Sequence, residues 1–333
     1  MKIIVDGMGG DHAPGEIIKG CIEAVFEYDV DLSLTGDSQI LREELKKLNA
    51  PKDRIEIIHT TQVINMEDSP VKAIKTKKDS SMVKAMELVR REPNSVLVSA
   101  GNTGALLAGG LLIVGRIKGI DRPALTSILP NRKNGTLFLD MGANTECKPE
   151  NLEQFAVMGT VYMESVIGRE NPTVGLLNIG TEENKGNELY RSSYQLLKNN
   201  KRINFVGNIE PREVPEGVVD ILVSDGFTGN IVLKYTEGLG RSFYELLKEA
   251  MTKNTISKLA ALVLKPYLSH IKDMMDYTKV GGAPLLGING GIIKAHGSSN
   301  ATAIKNAIRQ GKLFLENNVL DQIKNTLAYA QEE

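Results

Sequence analysis

Short apolar runs alternate with polar loops and amphipathic segments along most of the chain. The first run, Lys2–Asp6, is rich in β-branched residues and precedes a glycine-rich loop. Pro14, a residue favoured in the first turn of a helix, follows, and Ile17, Cys21 and Val25 then repeat at helical spacing. This order predicts a β-strand followed by an α-helix.

The same pattern recurs in seven further runs: DLSLTGD, RIEIIHT, SVLVSA, TLFLD, TVGLLNIG, VDILVSD and GIIKAHG. Strands that alternate with helices are typical of a parallel sheet, whose connecting loops meet at one edge. We therefore predict the α/β class, with a mostly parallel sheet whose candidate binding loops share one rim.

The alternation of strands and helices stops between residues 237 and 279, where the pattern of apolar positions is helical throughout. Ile256, Ala260 and Val263 follow the helical period, and Lys258 and Lys265 lie on another stripe. We predict a protruding amphipathic helical pair at about 240–280. Because no repeat or change of composition divides the chain, we predict a single domain, 1–333, that carries this protrusion.

Composition excludes several classes of protein. Hydrophobic residues make up 41% of the chain, and 40 basic side chains face 41 acidic ones, which argues against a disordered chain and against a nucleic-acid partner. Two cysteines give no disulfide framework. No signal peptide opens the sequence, and the apolar stretch 105–115 is too short to span a bilayer, so we predict a cytoplasmic protein. We also predict no metal and no cofactor.

The loops after the strands are the candidate binding sites. Glycines let the backbone approach a ligand closely, and Asn and Thr offer neutral donors to an oxyanion. GMGGDH lacks the third glycine of a dinucleotide-binding loop, because His12 stands there. Ordinary turn and N-cap chemistry is the alternative for each loop. The predicted phosphate-binding residues are Gly9, Gly10, Asn102, Thr103, Gly104, Asn144, Asn187, Thr228 and Gly229.

Four side chains are the candidates for catalysis. Lys185, between Asn184 and Gly186, places one compact positive charge at a strand end. Asn230 offers an amide donor, and either His12 or His296 is suited to general acid chemistry. The alternatives are a solvated loop lysine and ordinary hydrogen-bonded histidines.

Eight collinear blocks resemble the bacterial phosphate acyltransferase family called PlsX. They read VDGMGGDHAP, SPVKAIKTKKDSSM, SAGNTGALLAGG, GRIKGIDRPAL, LDMGAN, LLNIGTEENKGNEL, SDGFTGN and KAHGSS, and they cover essentially the whole chain. Gly7 stands where we expect alanine in the family, which keeps a small residue there.

The resemblance implies an enzyme that transfers a fatty acyl group from acyl carrier protein to inorganic phosphate, giving acyl phosphate for phospholipid synthesis. It implies a three-layer α/β/α sandwich similar to phosphotransacetylases and isocitrate dehydrogenases, and a homodimer. It also implies peripheral association with the inner face of the cell membrane, where a downstream glycerol-phosphate acyltransferase would use the product.

Two surfaces match these expected partners. A basic cluster is our candidate for docking the acidic carrier protein, with solvated surface as the alternative. Apolar residues among periodic lysines are our candidate membrane contact, with dimer packing as the alternative. The docking residues are Lys72, Lys75, Lys77, Lys78, Arg116, Lys118 and Arg122. The membrane-contact residues are Leu259, Leu262, Val263 and Leu264.

Three other functions remain open from the sequence. A short-chain phosphotransacetylase would use coenzyme A as its donor, and a metal-dependent dehydrogenase would use a nicotinamide cofactor. The missing dinucleotide-binding loop argues against the second. A non-enzymatic membrane scaffold would need only the amphipathic segment.

Overall fold

Twelve strands form two sheets within the residues that the computed structural model describes, which are 1–51, 53–259, 261–264 and 281–328. The strands are β1 (Lys2–Asp6), β2 (Leu32–Gly36), β3 (Ile55–His59), β4 (Ser95–Ser99), β5 (Ala124–Leu125), β6 (Ser127–Leu129), β7 (Thr136–Leu139), β8 (Thr173–Leu177), β9 (Asn204–Ile209), β10 (Ile221–Val223), β11 (Ala283–Leu286) and β12 (Gly291–Lys294).

The helices follow the strands, and several begin at a capping side chain in the loop after a strand. Asp37, Asn102, Asn187, Asp225 and Asn300 each accept a backbone N–H of the helix that they start. The helices are α1 (Gly15–Tyr28), α2 (Ser38–Lys47), α3 (Pro70–Thr76), α4 (Ser81–Arg91), α5 (Thr103–Gly109), α6 (Pro149–Tyr162), α7 (Glu188–Asn199), α8 (Gly226–Thr252), α9 (Ala301–Glu316) and α10 (Val319–Ala328). Shorter turns of helix are Gly110–Val114, Met163–Ile167 and Pro211–Glu216.

The two sheets differ in size and in chain order. The seven-stranded sheet has the order β3-β2-β1-β4-β12-β11-β5, and the five-stranded sheet has the order β6-β7-β10-β8-β9. The pairs that involve β11 and the pair of β6 with β7 are antiparallel, and the other pairs are parallel.

One extended segment, 124–129, joins the sheets by changing partners at Thr126. Its first half is β5, paired with β11, and its second half is β6, paired with β7. Between them, the backbone N–H and the hydroxyl of Thr126 both donate to the Pro284 carbonyl, at 3.0 and 3.1 Å. The sheets are therefore connected edge to edge through a shared strand.

This junction turns the carboxyl ends of the two sets of parallel strands toward each other. β5 runs in the direction of β1, β4 and β12, because two antiparallel pairings separate it from β12. β7 is antiparallel to β6 and ends beside Leu125, whose N–H donates to Asp140 Oδ1 at 3.0 Å. The loops after the strands thus form two rims that face one another.

Two apolar clusters cover the faces of the seven-stranded sheet. One includes Ile3, Val98 and Ile293 and continues to Leu137 and Val174 of the five-stranded sheet. The second lies under α4 and α5, where Ile4, Leu97 and Ile292 pack with Met86 and Leu106. Because the first cluster includes residues of both sheets, it packs the two halves together.

The α/β class with mostly parallel sheets is confirmed. The prediction of a single shared rim is wrong, because the strands form two sheets. The sequence did not predict β5, β6, β9 or β11, and three of these, β5, β6 and β11, form the antiparallel pairings at the junction. The single domain stays a prediction. Residues 255–259 and 261–264 are helical, whereas position 260 and the rest of the predicted helical pair, 265–280, lie outside the described residues.

Candidate active site

The five-stranded rim is built around two buried aspartates, Asp140 after β7 and Asp225 after β10. Asp140 is fully buried and accepts backbone N–H groups from Leu125, Gly142 and Ala143 on one oxygen. Its other oxygen accepts the backbone and side-chain N–H groups of Asn144, at 2.7 and 2.8 Å. Burial raises the pKa of Asp140, and these hydrogen bonds oppose the shift. The carboxylate holds its loop in one conformation.

Asp225 fixes the start of α8. It accepts the backbone N–H of Thr228 at 2.9 Å and the Thr228 hydroxyl at 2.7 Å. The hydroxyl of Tyr190, on α7, also donates to it at 2.5 Å, which ties two helices to this strand end. Burial raises the pKa of Tyr190, and the hydrogen bond to Asp225 adds to that shift. Thr228, a predicted phosphate ligand, thus has both its N–H and its hydroxyl committed to Asp225, the N-cap of its helix.

Two glycines let α8 approach the Asp140 loop. A Cβ atom at Gly226 would lie 2.5 Å from Asp140 Oδ2, and one at Gly229 would overlap the Asp140 carbonyl oxygen. The Gly226 N–H donates to the Asn144 carbonyl at 2.8 Å. One turn further, the half-buried side chain of Asn230 lies over Gly142. The structure therefore brings together the GANT and GFTGN loops, which the sequence treats as separate candidates.

Lys185 lies in the loop after β8, on the same rim. Its side chain is 45% exposed and its Nζ is 3.8 Å from Glu182 Oε1. A Cβ atom at Gly180 would lie 3.0 Å from Lys185 Cγ, so the lysine folds back over its own strand end. Asn187, two residues on, accepts the Tyr190 N–H at 3.2 Å as the cap of α7. Lys185 and the exposed N-cap residue Asn187 thus lie on the same rim as the loops of Asp140 and Asp225.

The seven-stranded rim places GMGGDH against the loops that follow β4 and β12. A Cβ atom at Gly9 would lie 2.5 Å from Asp6 Oδ2, and one at Gly10, whose φ is +111°, would lie 3.0 Å from Ala100 Cβ. Asp11 N donates to the Gly297 carbonyl at 2.8 Å, which joins two of the loops. Here the glycines are required for close packing of three loops.

Asn102, after β4, has both ends of its amide engaged. Its oxygen accepts the Ala105 N–H at 2.9 Å and so caps α5. Its nitrogen donates to the carbonyls of Asn65, Met66 and Asp68, which holds the loop 65–68 against this rim. Thr103 and Gly104 begin α5, and Gly104 lies against Pro70. Asn144 is equally committed: its Nδ2 donates to the Pro123 carbonyl and to Asp140. Phosphate contacts by Asn102 and Asn144 stay predictions.

Both candidate histidines belong to the seven-stranded rim and are exposed. His12 follows the glycine loop of β1, and His296 follows β12. His296 Nδ1 lies 2.9 Å from the Ser298 hydroxyl, which fixes its ring relative to the loop. No predicted histidine therefore lies on the rim that carries Lys185 and Asn230.

The residue that sequence reasoning missed is Lys294, the last residue of β12. It is only 7% exposed, which makes it the one buried lysine or arginine among the described residues. Burial lowers its pKa to about 8, and Asp11 and Asp6 act in the opposite direction. The sequence signal was a lysine that closes the apolar run GIIK at a strand end.

The predicted docking cluster is only partly available. Lys72, Lys75 and Lys78 are exposed, whereas Lys77 pairs with Asp68 at 2.5 Å and donates to the Val63 carbonyl. Arg116 pairs with Asp121 at 3.3 Å, and Lys118 is exposed.

Apolar side chains continue along α8 into the predicted protrusion. Many are exposed, in a series that starts at the rim with Phe227 and Ile231 and passes Tyr235 and Phe243. Leu259, Leu262, Val263 and Leu264, the predicted membrane-contact residues, are 60%, 65%, 72% and 44% exposed. None of the described helices has the length and apolar content to cross a bilayer.

The whole arrangement suits group transfer between a charged and an uncharged partner. Fixed neutral donors and one exposed lysine stand on one rim, and a buried lysine and two histidines stand on the other. Positioned donors of this kind stabilise oxyanions that form during acyl transfer.

Comparisons with known proteins agree with this chemistry. Residues 1–322 match the family model described as "Fatty acid synthesis protein". A protein of Alkaliphilus oremlandii named "Phosphate acyltransferase" is 53% identical over 97% of this chain and 96% of its own length. A protein of Clostridioides difficile with the same name is 52% identical over 100% of this chain and 98% of its own length.

Solved structures share the fold at much lower identity. A phosphotransacetylase from Streptococcus pyogenes superposes with a TM-score of 0.63 and 16% identity, covering 96% of this chain and 94% of its own. At that identity the likeness supports the fold and leaves the substrate to other observations.

Proposed function

Since the chain belongs to the fatty acid synthesis protein family, we propose that it is an acyltransferase that transfers a fatty acyl group to inorganic phosphate for phospholipid synthesis. The observation that carries this proposal is the name "Phosphate acyltransferase" on relatives about half identical over the whole chain. The two rims support it, because each carries side chains that can bind an anion: Lys185 and Asn230 on one, and Lys294 with two histidines on the other.

The proposed reaction needs few groups. A phosphate oxygen attacks the thioester carbonyl carbon, so that a carbon–oxygen bond forms and the carbonyl oxygen becomes an oxyanion. The carbon–sulfur bond then breaks, and the electron pair leaves with the thiolate, which takes up a proton. The products are acyl phosphate and a free thiol.

Lys185 and Asn230 are the proposed groups for the oxyanion and phosphate on the five-stranded rim, because Thr228 already donates both its N–H and its hydroxyl to Asp225. Lys185 is exposed and moves on a flexible stem, so it can follow the charge as the reaction proceeds. Asn230 is held against Gly142 and acts as a fixed donor. His12 or His296, from the opposite rim, supplies the proton to the thiolate.

The proposed donor is acyl carrier protein. Such carriers are acidic, and the exposed lysines Lys72, Lys75 and Lys78 lie on and just after α3, which packs against α5 on the seven-stranded side. The alternative donor is an acyl-coenzyme A, which we test as well because the fold is similar to that of a phosphotransacetylase.

The deciding experiment incubates the purified full chain with palmitoyl-carrier protein and radiolabelled inorganic phosphate, with palmitoyl-CoA and acetyl-CoA in parallel. Labelled acyl phosphate is scored by its lability to hydroxylamine. Label with the carrier donor is the expected result. Label with coenzyme A donors alone would reassign the chain to the phosphotransacetylase alternative, and label with none would refute the enzyme.

We also propose that the enzyme is a homodimer that associates with the anionic inner surface of the membrane, where a glycerol-phosphate acyltransferase uses its product. The exposed side chains of Leu259, Leu262, Val263 and Leu264 support the membrane contact, because they are apolar and follow the exposed Lys258 in a helical segment.

Leu262→Glu should abolish binding to vesicles of anionic phospholipid while dimerisation, measured by sedimentation, is retained. Leu112→Glu is the matched control, because Leu112 is 57% exposed on the seven-stranded side. This variant should bind vesicles as the wild type does. Loss of the dimer in Leu262→Glu would instead assign this segment to subunit packing.

A further inference from the structure

Three polar residues form a row at the last level of the three central strands of the seven-stranded sheet. Ser99 of β4 is in register with Lys294 of β12. On its other side Ser99 donates its hydroxyl to Asp6 Oδ2, at the end of β1, at 2.8 Å. A buried acid and a buried lysine thus flank one hydroxyl, directly beneath the GMGGDH and AHGSS loops.

The row lies on the side of the sheet that meets the other rim. Ile4, Leu97 and Ile292 are two positions before its members, so they share its face, and they belong to the cluster under α4 and α5. Ala143, from the loop after β7, packs against that same cluster. Lys294 therefore ends its strand on the face that the five-stranded rim approaches.

The ammonium of Lys294 is under-satisfied. An ammonium has three N–H donors, and the only acceptor that the described residues give it is the carbonyl of the next residue, Ala295. Asp6 and Asp11 attract it electrostatically, but neither forms a hydrogen bond with it. A buried charge with open donors lowers the stability of the folded protein, and a ligand that accepts those N–H groups would offset that cost.

We propose that Lys294 binds the phosphate acceptor and forms the anion-binding part of the seven-stranded rim. This inference rests on the proposed function for its choice of ligand. A phosphate oxygen accepts the open N–H groups of the Lys294 ammonium. Lys185, on the opposite rim, then remains for the charge that develops on the thioester.

The elements around Lys294 differ in charge. β4 and β11 contribute no charged side chain, and α5 has none. α9 packs against β12 and carries Lys305, Arg309, Lys312 and Glu316, of which Lys305 pairs with Glu23 and Glu27, and Lys312 pairs with Glu316. On α4, Lys84 pairs with Asp79 and Glu87, and Arg91 with Glu87. Asp6 and Asp11 are therefore the groups that set its charge, and it is protonated at neutral pH.

The test measures phosphate binding directly, by calorimetric titration of the full chain with inorganic phosphate at pH 7. Lys294→Met should weaken binding by about thirtyfold or more, because it removes a buried charged donor. Lys294→Arg, which keeps the charge, should recover most of the affinity. Lys312→Met is the control, because Lys312 also donates to a backbone carbonyl, that of Tyr28, far from the rim; its affinity should match the wild type.

Kinetics and pH supply a second readout. Lys294→Met should raise the KM for phosphate far more than it lowers kcat, and leave the KM for the acyl donor unchanged. The phosphate affinity of the wild type should fall as the pH rises through about 8, whereas Lys294→Arg should lose that component.

The double variant Asp6→Asn/Lys294→Met removes both buried charges. It therefore distinguishes phosphate binding by Lys294 from a purely structural role of this residue. If the double variant folds and binds phosphate as the wild type does, the inference is overturned. Wild-type affinity in Lys294→Met would also overturn it, and normal acyl-phosphate formation would then leave the proposed function standing. If the wild type binds phosphate through Lys294 but makes no acyl phosphate from any donor, the proposed function fails and the site remains.

Discussion

At the five-stranded rim, the buried carboxylates of Asp140 and Asp225 accept hydrogen bonds from neutral N–H and O–H groups. At the seven-stranded rim, the equally buried carboxylate of Asp6 also accepts neutral donors, the Ser99 hydroxyl and the Met8 N–H, but it lies near a buried lysine. The carboxylates of the first rim are satisfied within their own loops and brace it, while Lys185 and Asn230 remain for a ligand. The second rim keeps a buried positive charge whose donors are not all used.

Replacing Asp140 should have the largest effect on stability, because five N–H groups would lose their acceptor. We expect Asp140→Ala to lower the free energy of unfolding by on the order of 5 kcal/mol, measured by denaturant titration. Asp37→Ala removes an N-cap that accepts two N–H groups near the surface and should cost only about 1 kcal/mol. Equal losses of unfolding free energy in the two variants would show that Asp140 stabilises the protein no more than an ordinary N-cap does.

Lys185→Ala should nearly abolish acyl-phosphate formation, by on the order of a hundredfold to a thousandfold in kcat, and leave the unfolding transition unchanged. Lys47→Ala is the control, because Lys47 is also exposed and paired with a glutamate, Glu44, but lies on α2 beside the seven-stranded sheet. An unchanged rate in Lys185→Ala would remove this residue from the mechanism.

The rims should also differ in how they respond to pH. Burial lowers the pKa of Lys294 to about 8, whereas a lysine in the unfolded chain titrates near 10.4. Between these values the unfolded chain binds more protons, so this group makes the free energy of unfolding rise with pH, by up to about 1.4 kcal/mol per unit.

Lys294→Met should remove that rise. The free energies of unfolding of the wild type and the variant, compared at several pH values from about 7 to about 10, should diverge in favour of the wild type above about pH 8. A constant difference between the two curves would mean that Lys294 titrates as an exposed lysine does.

Reversing two docking charges should have the smallest effect. Lys75→Glu with Lys78→Glu should raise the KM for the carrier-linked donor by about three- to tenfold and weaken its dependence on salt. Lys201→Glu makes the same kind of change on an exposed lysine of the five-stranded side and should leave that KM unchanged. No change in the double variant would refute the docking assignment.

The sequence predicted the strands that carry a long apolar run, such as β1, β4 and β10, and the glycine and asparagine loops after them. It did not predict β5, β6, β9 or β11, because these runs are short or irregular and become strands only through their partners in the sheet. Without these strands, the sequence could not show that there are two rims or that they face each other.

The candidate site was predicted by loop and not by side chain. Asn102 and Asn187 have the composition of ligands, and the structure shows both acting as N-caps, which was the alternative considered for them. Lys294 escaped notice because its importance comes from lying in one row with Asp6 and Ser99, and that row depends on the order of strands across the sheet.

The order of the strands in the sheet also determines when each strand can pair while the chain is being synthesised. β4 pairs with β12, yet the whole five-stranded sheet lies between them in the chain, so β4 has an open edge until residue 294 leaves the ribosome. At about 5–20 residues per second that interval lasts on the order of ten to forty seconds. The edge strand left waiting, SVLVS, is entirely buried in the finished protein. α4, which is already made, can cover one face of this strand but not its edge, so the unpaired N–H and C=O groups of β4 stay open to other chains until β12 arrives.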